Sequence, residues 1–214
     1  TTMELSADGR YVYVVNSNFN QTYSSGWVSV VDLDVALAAT EAGNQSIIDR
    51  NNGGQLRIPS LGGELAISAD GTSALMPHRG LNPRSEVMIT QLSLGADGSV
   101  SCGDPEYTEG FTGREAATDC DEEHLIRVRE DGSDDIDPTV LPKNSIYSWQ
   151  QENGYHATTF YLLEDDGARE MAAIGYVNAG IIRLYELIDG QYRFVDILST
   201  DLANTGRIKA HPGM

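Results

Sequence analysis

Only two of the 214 residues are cysteines, and only 14 are lysine or arginine, against 32 aspartates and glutamates. The net charge of -18 and the scatter of the basic residues exclude a phosphate-binding patch, so nucleic acid is not expected as a partner. An anionic membrane surface is disfavoured by the same sign, and such a charge reads as a heavily hydrated exterior. No apolar run approaches the roughly 20 residues that cross a bilayer, so no membrane span is expected. No signal-peptide pattern is expected from the opening residues. Thr1 in place of an initiator Met is what a removed export signal leaves, or what a piece of a longer chain would show. Signatures of chemistry are missing too. There is no Gly-x-Ser-x-Gly elbow, no glycine-rich phosphate loop, no Cys-x-x-Cys-His haem attachment and no cysteine beside a histidine in a nucleophile motif. These absences favour a non-enzyme without deciding the matter.

What the chain does have is a repeated meander. Met3 to Asn16 places an Asp-Gly pair, Asp8-Gly9, between two β-type runs, a strong short-range hairpin signal. In the second run Tyr11, Val12, Tyr13, Val14 and Val15 are apolar or aromatic on both alternating faces, so its sheet needs cover on both sides. A third run, Trp27 to Leu33, follows a polar loop. The pattern returns at Gly63 to Met76, with Ser68-Ala69-Asp70-Gly71 in the place of Ser6-Ala7-Asp8-Gly9, and continues into Glu86 to Leu92. Internal repeats of this kind decide fold class first.

Leu5-Ser6-Ala7-Asp8-Gly9-Arg10-Tyr11-Val12-Tyr13-Val14-Val15-Asn16, followed by Val28-Ser29-Val30-Val31-Asp32, resembles the YVTN-type β-propeller repeat. Ala7 stands where that repeat usually has Pro, and the second copy replaces Tyr-Val-x-Asn with Ala74-Leu75-Met76-Pro77-His78. Ile182 to Leu187 with Asp189-Gly190 is similar to repeats of lactonase-type seven-bladed propellers, which share Tyr13-Val14-Val15-Asn16 as well. The resemblance covers about half the chain and implies an all-β propeller of four-stranded antiparallel blades. It implies architecture far more than activity.

On this reading residues 1–101 hold two blades, 102–155 an insertion or diverged blade with acidic loops, and 156–214 a further blade and the start of the next. Asp34 to Ala42 favours a short helix ended by Gly43, and Leu56-Arg57-Ile58 an outer strand. Asn51-Asn52-Gly53-Gly54 and Gly95-Ala96-Asp97-Gly98 are turns. Within the insertion Leu125 to Arg129 and Ser145 to Trp149 are strand candidates. Cys102 and Cys120 bracket a polar loop, which fits a disulfide made in an oxidising compartment. Such a bridge would stabilise by about 3 kcal/mol through loop closure. Two free thiols are the alternative; zinc would need two more ligands, and His124 alone does not supply them. Four strands with short connections run from Ala157 to Leu198, with turns at Asp166-Gly167 and Asp189-Gly190. Ile208 to Met214 resembles a lead-in to another inner strand. With three clear blades, or four counting the insertion, the ring is expected to be completed by the rest of a longer chain or by another chain.

Three histidines and an arginine gather on one face if the blades are right. His156 and His211 precede first strands, whereas His78 and Arg79 follow a second strand, which puts them around the central channel. Histidines there could bind a metal or act as acid and base. Asp131, Asp134, Asp135 and Asp137 are calcium candidates, although their spacing excludes an EF-hand loop; solvated acidic loop is the simpler reading. No cofactor is otherwise expected. Asn20-Gln21-Thr22 and Asn44-Gln45-Ser46 are formal glycosylation sequons. The expected function is an extracellular or periplasmic propeller that binds a protein or a surface polymer through its loop-rich channel face. The alternatives are a lactonase-like hydrolase and a redox propeller with a histidine-held metal or a docked haem domain.

Overall fold

The computed structural model describes residues 2–18, 25–43, 55–78, 88–103, 119–127, 154–164, 167–176 and 181–199. Thr2–Leu5 (β1), Tyr11–Asn16 (β2), Gly26–Asp32 (β3) and Gln55–Ile58 (β4) pair in that order into a first antiparallel sheet. Cross-strand partners share a face, and the register sets Tyr13 opposite Val30, Val15 opposite Val28, and Val28 opposite Leu56. The period-2 pattern thus delivers Tyr11, Tyr13, Val15, Val28, Val30, Leu56 and Ile58 to one buried face. Asp32 ends β3 and caps the helix Leu33–Glu41 (α1), its Oδ1 accepting from the amides of Asp34 at 2.9 Å and Val35 at 3.2 Å. Gly43, with φ 71°, follows the helix end as expected from its sequence.

Ala66–Ile67 (β5), Ser73–Pro77 (β6), Met88–Leu94 (β7) and Val100–Ser101 (β8) form a second antiparallel sheet in that order. Leu125–Arg127 (β9), the strand foreseen at the start of Leu125 to Arg129, also pairs with β7. β8 lies against Ser93 and Leu94, and β9 against Met88, Ile89 and Thr90. The fourth-strand position is therefore shared by two short strands, with the Cys102–Cys120 disulfide between them, Cα atoms 4.5 Å apart. The third sheet runs Gly154–Glu164 (β10), Gly167–Tyr176 (β11), Ile181–Ile188 (β12) and Gln191–Ser199 (β13).

The repeated Ser-Ala-Asp-Gly stretches build the same turn twice. Ser6 Oγ donates to Asp8 Oδ1 at 2.6 Å and accepts from the Tyr11 amide at 2.8 Å, while Asp8 Oδ1 accepts from the Arg10 amide at 3.0 Å. Ser68, Asp70, Thr72 and Ser73 repeat these bonds at 2.7, 2.9 and 3.0 Å. Gly9 and Gly71 both sit at φ 74°, left-handed backbone that favours glycine. These are four-residue loops rather than two-residue turns, because the serine hydroxyl replaces a ladder bond and adds a residue at each end. The two-residue form occurs at Asp189-Gly190, φ 52° and 79°, directly between paired Ile188 and Gln191. Asp166, expected in the remaining hairpin turn, lies outside the described residues.

Alternation along β6 and β7 lets the second sheet serve both neighbours. Ala74, Met76, Leu92 and Leu94 pack with the buried face of the first sheet, joined by Cys102, Cys120 and Leu125. Leu75 and Ile89 point the other way, into Ala157, Ala172, Ile174, Tyr185 and Tyr192 of the third sheet. The result is three antiparallel sheets packed in series. Leu5 and Met3 on the far side of the first sheet, and Leu162 and Leu198 on the far side of the third, remain exposed. Among the described residues no helix is long and apolar enough to cross a membrane.

Candidate functional site

The loop entering β5, residues 59–65, touches all three sheets at one end of the stack. Leu61 donates its amide to Ser17 O at 2.6 Å, and Thr2 Oγ1 donates to Gly63 O at 3.0 Å, which fastens the loop to the first sheet. Asn18 Nδ2 donates to Ser60 Oγ at 3.0 Å, and the Gly63 amide to Pro77 O at 2.7 Å. Leu61 (φ 68°) and Asn18 (φ 49°) are buried non-glycine residues in left-handed backbone. Such conformations persist only where the surroundings over-determine them, and they concentrate at functional sites. Gly62 allows the close packing, since a Cβ there would lie 3.0 Å from Met76 Sδ and 3.3 Å from Val15 Cγ1.

His78 stands at the base of this loop with its ring turned inward. Nε2 lies 2.7 Å from Thr90 Oγ1 and Nδ1 3.4 Å from Ser60 O. A carbonyl can only accept, so Nδ1 carries the proton and Nε2 accepts from the threonine hydroxyl. Burial pushes the imidazole down to about 4, with the Ser60 and Pro59 backbone partly opposing the shift. His78 is thus a neutral, hydrogen-bonded part of the packing.

His156, at the start of β10, does face the loop. Its Nδ1 lies 3.2 Å from Glu64 Oε2, an imidazole–carboxylate pair between the second and third sheets, each side chain about one-fifth exposed. The structure places His78 in hydrogen bonds to Ser60 and Thr90, and His156 within ion-pair distance of Glu64. Arg79, His211, Asp131, Asp134, Asp135 and Asp137 lie outside the described residues, as do both sequons and the strand foreseen at Ser145 to Trp149. Among the described residues no group of three or more metal-ligating side chains is present. Another imidazole–carboxylate pair, His124 Nδ1 to Asp121 Oδ1 at 2.6 Å, sits beside the disulfide at the outer edge of the second sheet.

Glu64 and Thr90 were not singled out in the sequence. Their signal was faint: Thr90 and Gln91 are consecutive polar residues in a run that reads as a buried strand, and both are buried. Gln91 proves to be a clamp between sheets. Its Nε2 donates to Gly190 O at 2.6 Å, and its Oε1 accepts from the Tyr192 amide at 3.1 Å.

No family model matches the chain. No curated protein matches it either. Solved structures resemble it at low identity. Hydrazine synthase of Kuenenia stuttgartiensis is 11% identical with a TM-score of 0.47, over 92% of this chain and 49% of that one. A protein named as a 6-phosphogluconolactonase from Bacteroides uniformis is 12% identical with a TM-score of 0.39, over 93% of this chain and 40% of that one. One so named from Bacteroides fragilis is also 12% identical at 0.39, over 94% of this chain and 57% of that one. The chain thus spans about half the length of these proteins. At this level of likeness they assign no activity to it.

Proposed function

We propose that the three sheets are consecutive blades of an exported β-propeller that serves as a binding scaffold, with its recognition surface at the end built around residues 59–65. The observation that carries this reading is that one loop, with Leu61 buried in left-handed backbone, is hydrogen-bonded to the first and second sheets and sets Glu64 beside His156 of the third. A surface fixed from three sides loses little conformational freedom when it binds, which favours recognition. Export is supported by the disulfide, since such bonds persist in oxidising compartments. Further blades, from a longer chain or from another, cover the exposed far faces in this reading. A protein or a surface polymer is the class of partner it takes.

A lactone hydrolase is the second reading, and the Glu64–His156 pair is what favours it, because an imidazole beside a carboxylate can serve as an acid–base device. One experiment separates the two. The intact protein is assayed with 6-phosphogluconolactone beside Glu64→Gln and His156→Asn variants, while hydroxyl-radical footprinting maps contacts with the cell-envelope fraction of its source. The scaffold reading expects hydrolysis at the uncatalysed rate and protection of residues 59–65 and 154–158. Turnover that both variants abolish, with no protection, would replace it by the hydrolase. Metal analysis of the same sample tests the calcium and histidine-metal expectations.

A further inference from the structure

The disulfide does more than close its own loop. Cys120 is preceded by Asp119, and Asp119 belongs by its bonds to the first sheet: its amide donates to Arg57 O at 2.9 Å, and its Oδ2 accepts from the Arg57 amide at 2.8 Å. Arg57 Nε donates to Asp119 Oδ1 at 2.8 Å. Arg57 lies on β4, the outermost strand of the first sheet, so Asp119 occupies the place of a further strand on that edge. On the other side of the bridge, Cys102 follows β8 at the outer edge of the second sheet, and its carbonyl accepts from the Asp121 amide at 3.0 Å. A covalent and hydrogen-bonded path therefore runs from β4 through Asp119, Cys120 and Cys102 to β8. Both cysteines are fully buried, packed among Leu56, Leu92 and Leu94 in the core between the two sheets.

We infer that Cys102–Cys120 is an oxidation-dependent lock on the outer seam between the first and second sheets, with Asp119 as its bolt. The inner seam has its own fastenings, Thr2 to Gly63 and Leu61 to Ser17, which contain no sulfur. The two ends of the seam are held by different chemistry, so only the outer one answers to redox state. Without the bridge, β8 and β9 are joined only by the intervening backbone and by the Asp121 to Cys102 hydrogen bond, and the cross-link that sets Asp119 against β8 is lost. Closing the lock removes two electrons and two protons from the thiols, taken up by a disulfide-type oxidant. Opening it returns them from a dithiol such as dithiothreitol, which leaves as its own cyclic disulfide. The burial of both sulfurs makes reduction depend on transient opening of the seam, which suits a lock set once on export rather than a fast sensor.

The test is amide hydrogen exchange on the intact protein, oxidised, after reduction with dithiothreitol, and as the oxidised Asp119→Ala variant. Reduction is expected to raise exchange at the Arg57 amide at least tenfold while Tyr13 and Val15 of β2 keep their protection. Asp119→Ala, with the bridge intact, should reproduce the rise at Arg57. Unchanged exchange at Arg57 on reduction would confine the disulfide to its own loop and overturn the lock. An equal rise through the molecule would overturn it as well, since the bridge would then support the whole fold and not one seam.

Discussion

His78 carries a pH dependence that follows from its surroundings alone. Its folded value of about 4 lies below the ordinary 6.5, so between these values the unfolded chain binds a proton that the folded chain does not. Stability therefore rises with pH across this window and is complete above about 6.5. Over the whole window the loss on acidification amounts to roughly 3 kcal/mol. The ring should remain neutral by NMR at pH 5.5, and urea midpoints should fall between pH 7 and pH 4.5; a ring titrating near 6.5 would contradict the inward packing. Gly98 offers a second test at this scale. It has φ 81°, and a Cβ there would sit 2.5 Å from Tyr11 Cε1. Gly98→Ala meets both an unfavourable backbone and a ring buried in the first seam. It should destabilise by about 2 kcal/mol or more in chemical denaturation.

The Ser-x-Asp-Gly turns show how two side chains fix the geometry of an element. The Ser6 hydroxyl is the main cause that holds the Asp8 carboxyl below the usual range; for Asp70 it is the Thr72 amide, followed by Ser68. Both carboxylates thus stay charged as acceptors well into acid. At the second copy Ser73 is buried, and its amide donates to Ser68 Oγ at 3.0 Å. Ser68→Ala leaves that amide without its partner and should cost about 1–2 kcal/mol, read from urea midpoints. Ala at position 6 should cost less, because the Asp8 end of its network is exposed to water.

For the molecule as a whole, the seams matter more than any sheet. The second and third sheets are joined by Gln91 to the β12–β13 hairpin, by Thr159 Oγ1 to Ile67 O at 2.7 Å, and by the Ala69 amide to Glu170 Oε1 at 2.6 Å. Gln91→Ala strips partners from a carbonyl and a buried amide together. It is expected to destabilise by roughly 2–3 kcal/mol, read from urea midpoints. The outward faces make a separate prediction. Leaving Leu5, Leu162 and Leu198 in water forfeits apolar burial worth about 25 cal/mol per Å². The natural protein should accordingly show either a mass above 23.2 kDa or a complex with another chain that covers these faces. A lone 23.2 kDa particle with three stacked sheets would refute the ring.

Tyr11 to Asn16 and the Ser-Ala-Asp-Gly repeats determined much by themselves. Alternation fixed which side chains share a face, the turns fixed where strands reverse, and Asp32 and Gly43 fixed the ends of the helix. These choices are made within a few residues, where local sterics and hydrogen bonding act, so they are written in short stretches of chain. The cysteine pairing was legible because a chain with two cysteines allows one bridge. Only the tertiary structure decided that His78 packs inward while His156 meets Glu64, that Gln91 grips a hairpin 101 residues away at Tyr192, and that Asp119 bonds Arg57. Each of those contacts depends on how one sheet is set against the next. That setting comes from the summed fit of two buried faces, to which no single residue or local pattern holds the key.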